Sequence, residues 1–166
     1  VDVSVGDFTG SFWSNISENS GEMNEVDLTI DYSTDLSELV SVSVGNILYN
    51  VDDDDADTAN TTNELYLGVA LNTILEPALT VYYDYDEFET IYTTLGIGHG
   101  FDLSDAASLS LGATASYLSA DNDDAFDSDT SWFHNLELSA GLDYALNENI
   151  TISGAVLYSE PLSDDA

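Results

Sequence analysis

The 166-residue chain contains no lysine and no arginine. Set against 33 Asp and Glu and two histidines, this leaves a formal net charge of −33. Ordinary chains carry about 11–12% Lys plus Arg, so the blank is not a fluctuation of composition. It argues against nucleic acid as a partner, because no lysine or arginine is there to neutralise a phosphate. Its origin is open between a segment of a longer protein bounded by basic residues and selection for an acidic surface, in high salt or for divalent cations. Cysteine is absent as well, which rules out disulfides and thiolate metal sites. Only two prolines interrupt the chain, no apolar run is long enough for a membrane-spanning helix, and no signal peptide is visible.

What is present argues for a folded chain. Hydrophobic residues make up 43%, with 10 Tyr, 6 Phe and 2 Trp, too rich a content for a disordered acidic segment. The length suits one domain with a sizeable core or a closed sheet.

Alternation of large apolar with small or polar residues is the dominant pattern. It runs through nine segments, roughly 4–14, 25–32, 40–50, 63–72, 78–86, 90–101, 107–118, 134–145 and 149–158. In 25–32, Val26, Leu28, Ile30 and Tyr32 oppose Asp27, Thr29 and Asp31. In 134–145, Leu136, Leu138, Ala140, Leu142 and Tyr144 oppose Asn135, Glu137, Ser139, Gly141 and Asp143. A period of two is the signature of strands with unlike faces, and none of the segments has a helical period. Between 63 and 99 the connections Asn72–Ala78 and Asp86–Glu89 are too short for crossover helices, so those three consecutive strands pair antiparallel.

The connections alternate in kind. Ser33–Val40, Asn72–Ala78, Asp102–Ala107 and Leu146–Asn149 are turn-like, whereas Asn15–Asn24, Val51–Asn63, Asp86–Glu89 and Ser119–Phe133 are mostly longer and rich in Asp, Asn, Ser and Thr. Short turns at one end and long polar loops at the other is the plan of an outer-membrane barrel. Strands near ten residues match the ~9–11 that cross a bilayer at a tilt. A soluble sheet would carry long polar side chains on its second face. Here that face is dominated by Ser, Thr, Gly and Ala, with scattered acids and tyrosines, and such small residues suit the crowded interior of a narrow barrel. Phe12, Trp13, Tyr49, Tyr66, Tyr83, Tyr117, Trp132, Phe133, Tyr144 and Tyr158 lie near strand ends, where interfacial aromatic girdles are expected.

The fold expected is therefore an all-β, antiparallel, up-and-down transmembrane β-barrel, with residues 1–166 forming a single domain. Bacterial barrels have even strand numbers, and nine segments are odd. A C-terminal closing strand is thus expected to be missing, giving at least ten strands in the full protein, or twelve if an N-terminal hairpin precedes Val1.

The run Gly6-Asp7-Phe8-Thr9-Gly10-Ser11-Phe12-Trp13-Ser14-Asn15, then Asn24-Glu25-Val26-Asp27-Leu28-Thr29-Ile30-Asp31-Tyr32 and Val42-Ser43-Val44-Gly45-Asn46-Ile47-Leu48-Tyr49, resembles the TorF-family porins. Glu64-Leu65-Tyr66-Leu67-Gly68 and Leu79-Thr80-Val81-Tyr82-Tyr83-Asp84 fit the same strand pattern, so the resemblance spans residues 6–118. It implies a bacterial outer-membrane barrel with no established chemistry.

Two sets of carboxylates are candidate sites. Asp52, Asp53, Asp54, Asp55 and Asp57 crowd one long connection, and Asp121, Asp123, Asp124, Asp127 and Asp129 another. Crowded carboxylates repel without a cation, and Ca²⁺ accepts such oxygen ligands, although the spacing is not that of an EF-hand loop. The plain alternative is a solvated acidic loop. Asp27, Asp31, Glu64, Asp84, Glu137 and Asp143 fall on the small-residue face. In a wet lumen they would select cations; in a dry one they must be protonated or bonded to tyrosines such as Tyr66 and Tyr82.

No Gly-x-Ser-x-Gly elbow, phosphate loop or dinucleotide fingerprint occurs, and His99 and His134 stand alone without a zinc set, so no enzyme activity is expected. The sequence reads as an outer-membrane porin for passive passage or binding of small, cationic solutes. Its expected partners are the lipid bilayer, those solutes, divalent cations and further copies of the chain. The rival is an extracellular acidic structural protein, a filament or surface layer joined through sheet edges and Ca²⁺.

Overall fold

A computed structural model describes residues 1–17, 21–52, 59–120 and 130–163. Ten strands run in order: β1 (Asp2–Val5), β2 (Phe8–Ile16), β3 (Met23–Asp35), β4 (Val40–Asp52), β5 (Ala59–Leu71), β6 (Ala78–Asp84), β7 (Thr90–Ser104), β8 (Ala107–Ala120), β9 (Thr130–Asn147) and β10 (Ile150–Pro161). They form one sheet in which neighbours in sequence are neighbours in space. Every pairing is antiparallel. The order begins at β1 and ends at β10, so these two are unpaired edges and the sheet is not closed on itself. Among the described residues there is no helix.

The strand expected over 4–14 is instead a hairpin. Gly6 takes a φ of 60° in the two-residue link between Val5 and Phe8, the left-handed conformation that the first central position of a tight hairpin turn demands. Ten strands are therefore found among the described residues rather than nine, which corrects the odd count. Ends were also misplaced: β5 starts at Ala59 and β9 at Thr130, earlier than expected, because Asn60-Thr61-Thr62 and Thr130-Ser131 carry no apolar alternation to announce a strand.

The register sorts the side chains into two faces. One carries Leu28, Leu48, Leu67, Val81, Leu95, Leu138 and their row-mates, and is open to the surroundings, with Ile30 68% and Leu67 58% exposed. The buried side chains Thr62, Asp84, Thr90, Ser116 and Leu118 all belong to the other face. Tyr49 of β4 and His134 of β9 line a single hollow on that side, although a flat sheet would hold these strands about 24 Å apart. The sheet is therefore curled, with its small-residue face concave and its apolar face convex.

The small residues permit the curl. Asp31, Gly45 and Tyr66 lie in one row across β3, β4 and β5, and the Tyr66 ring lies over Gly45, where a Cβ would come within 2.4 Å of it. A Cβ on Gly68 would likewise meet the Ser43 hydroxyl at 2.4 Å. Larger side chains at these positions would fill the space into which the sheet bends.

Candidate functional site

All six acids expected on the small-residue face are there, but they do three different jobs. Asp84 is 5% exposed. Its Oδ2 accepts the Thr62 hydroxyl at 2.7 Å, and its Oδ1 accepts the backbone N–H groups of Asp86, Glu87 and Phe88, each at 3.1 Å. Both oxygens are committed, so Asp84 organises the connection between β6 and β7. Asp84 thus adds a turn-organising role to its place on the concave face: the polypeptide turns sharply after β6, and the freed amides converge on the nearest carboxylate.

Asp31 and Glu64 are tied to tyrosines. Tyr66 Oη donates to Asp31 Oδ2 at 2.5 Å, bridging over β4, and the Ser33 hydroxyl donates to Oδ1 of the same carboxylate. Tyr49 Oη donates to Glu64 Oε2 at 2.8 Å. Glu64 sits directly opposite Asp84, and Asp27 directly opposite Tyr49. Asp27 Oδ1 is buried without a hydrogen-bond partner. Asp27, Tyr49, Thr62, Glu64 and Asp84 thus form one group at the long-connection end. Tyr66→Phe, which deletes the bridge to Asp31 and keeps the ring, is expected to cost about 1 kcal/mol in a urea titration.

Glu137 and Asp143 lie elsewhere. Glu137 Oε1 accepts from Asn135 Nδ2 at 3.2 Å, and the same nitrogen reaches the Ser159 hydroxyl at 2.9 Å. Asn135 owes its position to a bulge. Ala115 pairs with Leu136 but Tyr117 pairs with Phe133, so His134 and Asn135 together oppose Ser116, re-aiming both. Asp143 is exposed at the opposite, short-turn end, in an open hollow shared with Asp102 and Asp105.

A row of rings crosses the concave face. Tyr66, Tyr82 and Tyr92 face one another on β5, β6 and β7 with centroids 5.6 and 6.2 Å apart, and His134 meets Tyr92 edge-on at 5.8 Å and 87°. At its long-connection end lies an open hollow of about 350 Å³, lined by Tyr49, Glu64, Asp84, Phe88, Tyr92 and His134 among others. Trp13, Tyr49, Tyr66 and Trp132 therefore do not belong to an outer girdle: the register puts them on the concave side. Sequence position near a strand end suggested the girdle, and parity with Asp27 and Glu64 was the signal against it. Phe12, Tyr83, Tyr117, Phe133, Tyr144 and Tyr158 do share the convex face. His99 is on that face too, edge-on to Phe101 at 4.5 Å.

Of the loop carboxylates, Asp52 ends β4, while Asp53, Asp54, Asp55, Asp57, Asp121, Asp123, Asp124, Asp127 and Asp129 lie outside the described residues. Among the described residues no group of three or more His, Asp or Glu is placed to hold a metal ion. No protein-family model, no curated protein and no solved structure matches the chain.

Proposed function

We propose that the chain is an outer-membrane β-barrel of the TorF-porin type, passing or binding small cationic solutes along its concave face. One observation carries the reading: the apolar side chains face outward and the polar ones inward, the reverse of a water-soluble sheet. Aromatics mark both ends of the convex face, with Phe8, Tyr32, Phe101 and Tyr144 towards the short turns and Tyr83, Tyr117, Phe133 and Tyr158 towards the long connections. Leu28, Leu67, Leu95 and Leu138 lie between them, a distribution suited to a bilayer with two interfaces. Ten strands make β1 and β10 antiparallel to one another. Val3 and Val5 of β1 share the convex face, as do Ile152 and Val156 of β10, so pairing these edges would close the barrel without breaking the apolar surface. Carboxylates and tyrosines on the inside, with no lysine or arginine anywhere in the chain, favour cations over anions. In this reading the acidic runs 52–57 and 121–129 bind divalent cations at the mouth.

The test is a planar bilayer with a salt gradient. The purified protein is expected to add discrete conductance steps with a reversal potential displaced towards that of the cation. Steps that favour the anion, or none beyond those of a protein-free bilayer, would overturn the porin reading. The unpaired edges support a second one. β10 is a 12-residue strand exposed throughout, with none of the lysines that blunt edge strands in other proteins. Material that is monodisperse and then polymerises in water without detergent, by strand addition at that edge, would favour the structural protein.

A further inference from the structure

We infer that the hollow between β4 and β9 binds the ammonium head of a primary alkylamine. The inference names a solute class for the proposed pore and rests on the concave face being its solute path.

Three features of the hollow converge on this chemistry. The first is its walls: Tyr49, Phe88, Tyr92 and His134 contribute rings, with Tyr92 and His134 set at 87° to form a corner. Aromatic corners attract cations that carry an organic shell, through the negative face of each ring. The second is an uncommitted carboxylate oxygen. Asp84 is used up by Thr62 and the backbone amides, but the bond from Tyr49 engages only Oε2 of Glu64. The third is His134 Nδ1, a buried nitrogen without a hydrogen-bond partner on a side chain that lines the same hollow; with the ring proton on Nε2 it is an acceptor. An acceptor left dry is costly until a donor reaches it.

The same features exclude neighbouring chemistries. A divalent metal needs several oxygen or nitrogen ligands around one point, and no group of three is placed for it among the described residues. A quaternary ammonium offers no N–H to Glu64 or to His134. An anion meets the Glu64 and Asp84 carboxylates, with no lysine or arginine in the chain to offset them. A primary ammonium supplies three N–H donors and a positive charge in one head. The hollow, about 350 Å³ in volume, has room for that head and a short alkyl chain, since a water occupies about 30 Å³.

Isothermal titration of the full chain in detergent tests this, with n-butylammonium chloride as the probe. Sodium chloride, tetramethylammonium chloride and glucose are titrated in parallel at constant ionic strength. One butylammonium is expected to bind per chain, at least about tenfold more tightly than any of the other three. Glu64→Gln should weaken it about tenfold or more, the loss expected for a charge-assisted hydrogen bond. Glu148→Gln, at an exposed position in the turn between β9 and β10, should leave it unchanged. Equal affinity for sodium and butylammonium would show a general acidic field and overturn the site. So would preference for glucose or tetramethylammonium, or parental affinity in Glu64→Gln. If Glu64→Gln fails to fold, the four ligands titrated against the parent protein still decide. Conductance of the same preparation separates the two readings: a pore without amine preference removes the site and keeps the pore, and binding without conductance does the opposite.

Discussion

Leu67→Arg is expected to lower the free energy of folding into lipid vesicles by about 2–4 kcal/mol, the cost of a cation near the bilayer midplane. Leu67 stands in the middle of the convex apolar row, directly opposite Val44 on one side and Val81 on the other, and is 58% exposed. A surface position facing water would tolerate the same change within about ±0.5 kcal/mol. The two outcomes are far enough apart to decide what the convex face touches. Leu36→Arg is the control, since Leu36 is as exposed but lies in the turn after β3, beyond the apolar band. Urea titration followed by the fluorescence of Trp13 and Trp132 reads both variants. Equal stability of Leu67→Arg and the parent would remove the membrane reading.

Gly45→Ala should cost about 3 kcal/mol, an overpacking penalty joined to the loss of a hydrogen bond. The new Cβ would lie 2.4 Å from Tyr66 Cζ and Oη and 2.6 Å from the Ile30 carbonyl oxygen. The tyrosine can swing away only by releasing Asp31, and the carbonyl belongs to the β3–β4 ladder and cannot. Truncating the ring should therefore cost less in the Gly45→Ala background than in the parent, a coupling that a double-mutant cycle measures. Gly154→Ala, where a Cβ meets nothing within 4 Å, is expected to be nearly neutral. If Gly45→Ala proves equally neutral, Tyr66 does not cross β4 to reach Asp31.

Much of this arrangement can be read from the pattern of residues. Alternation alone places Asp27, Asp31, Glu64, Asp84, Glu137 and Asp143 on one face, and the structure keeps all six there. It also orders the strands and separates short turns from long connections. It misses the β1–β2 hairpin because a two-residue turn reverses the chain without interrupting the run of small and apolar residues: Val5 and Phe8 end up as partners although one is odd and the other even. The bulge at Ser116 defeats parity in the same way, since beyond it Phe133 rather than Trp132 shares a face with Leu136. What each acid does is less legible still. Asp84 and Glu64 are chemically alike and directly opposed, yet one is consumed by the turn that follows it and the other keeps an oxygen free. That difference depends on where the chain bends after β6. The Asp31–Tyr66 bridge skips a strand, and its only trace in the sequence is a glycine lying between the two in the sheet's register.

The strictly sequential strand order also bears on how the chain reaches its fold. Each pairing joins strands adjacent in the chain, so nine hairpins can form from local contacts with little loop entropy to overcome. Joining β1 to β10 is the exception, because it links the two ends of the sheet and pays for nearly the whole chain at once. In the barrel reading this single contact of high sequence separation governs the folding rate. Circular permutants that turn the β1–β10 junction into a hairpin would then fold faster than the parent, with the slow step transferred to whichever hairpin was cut.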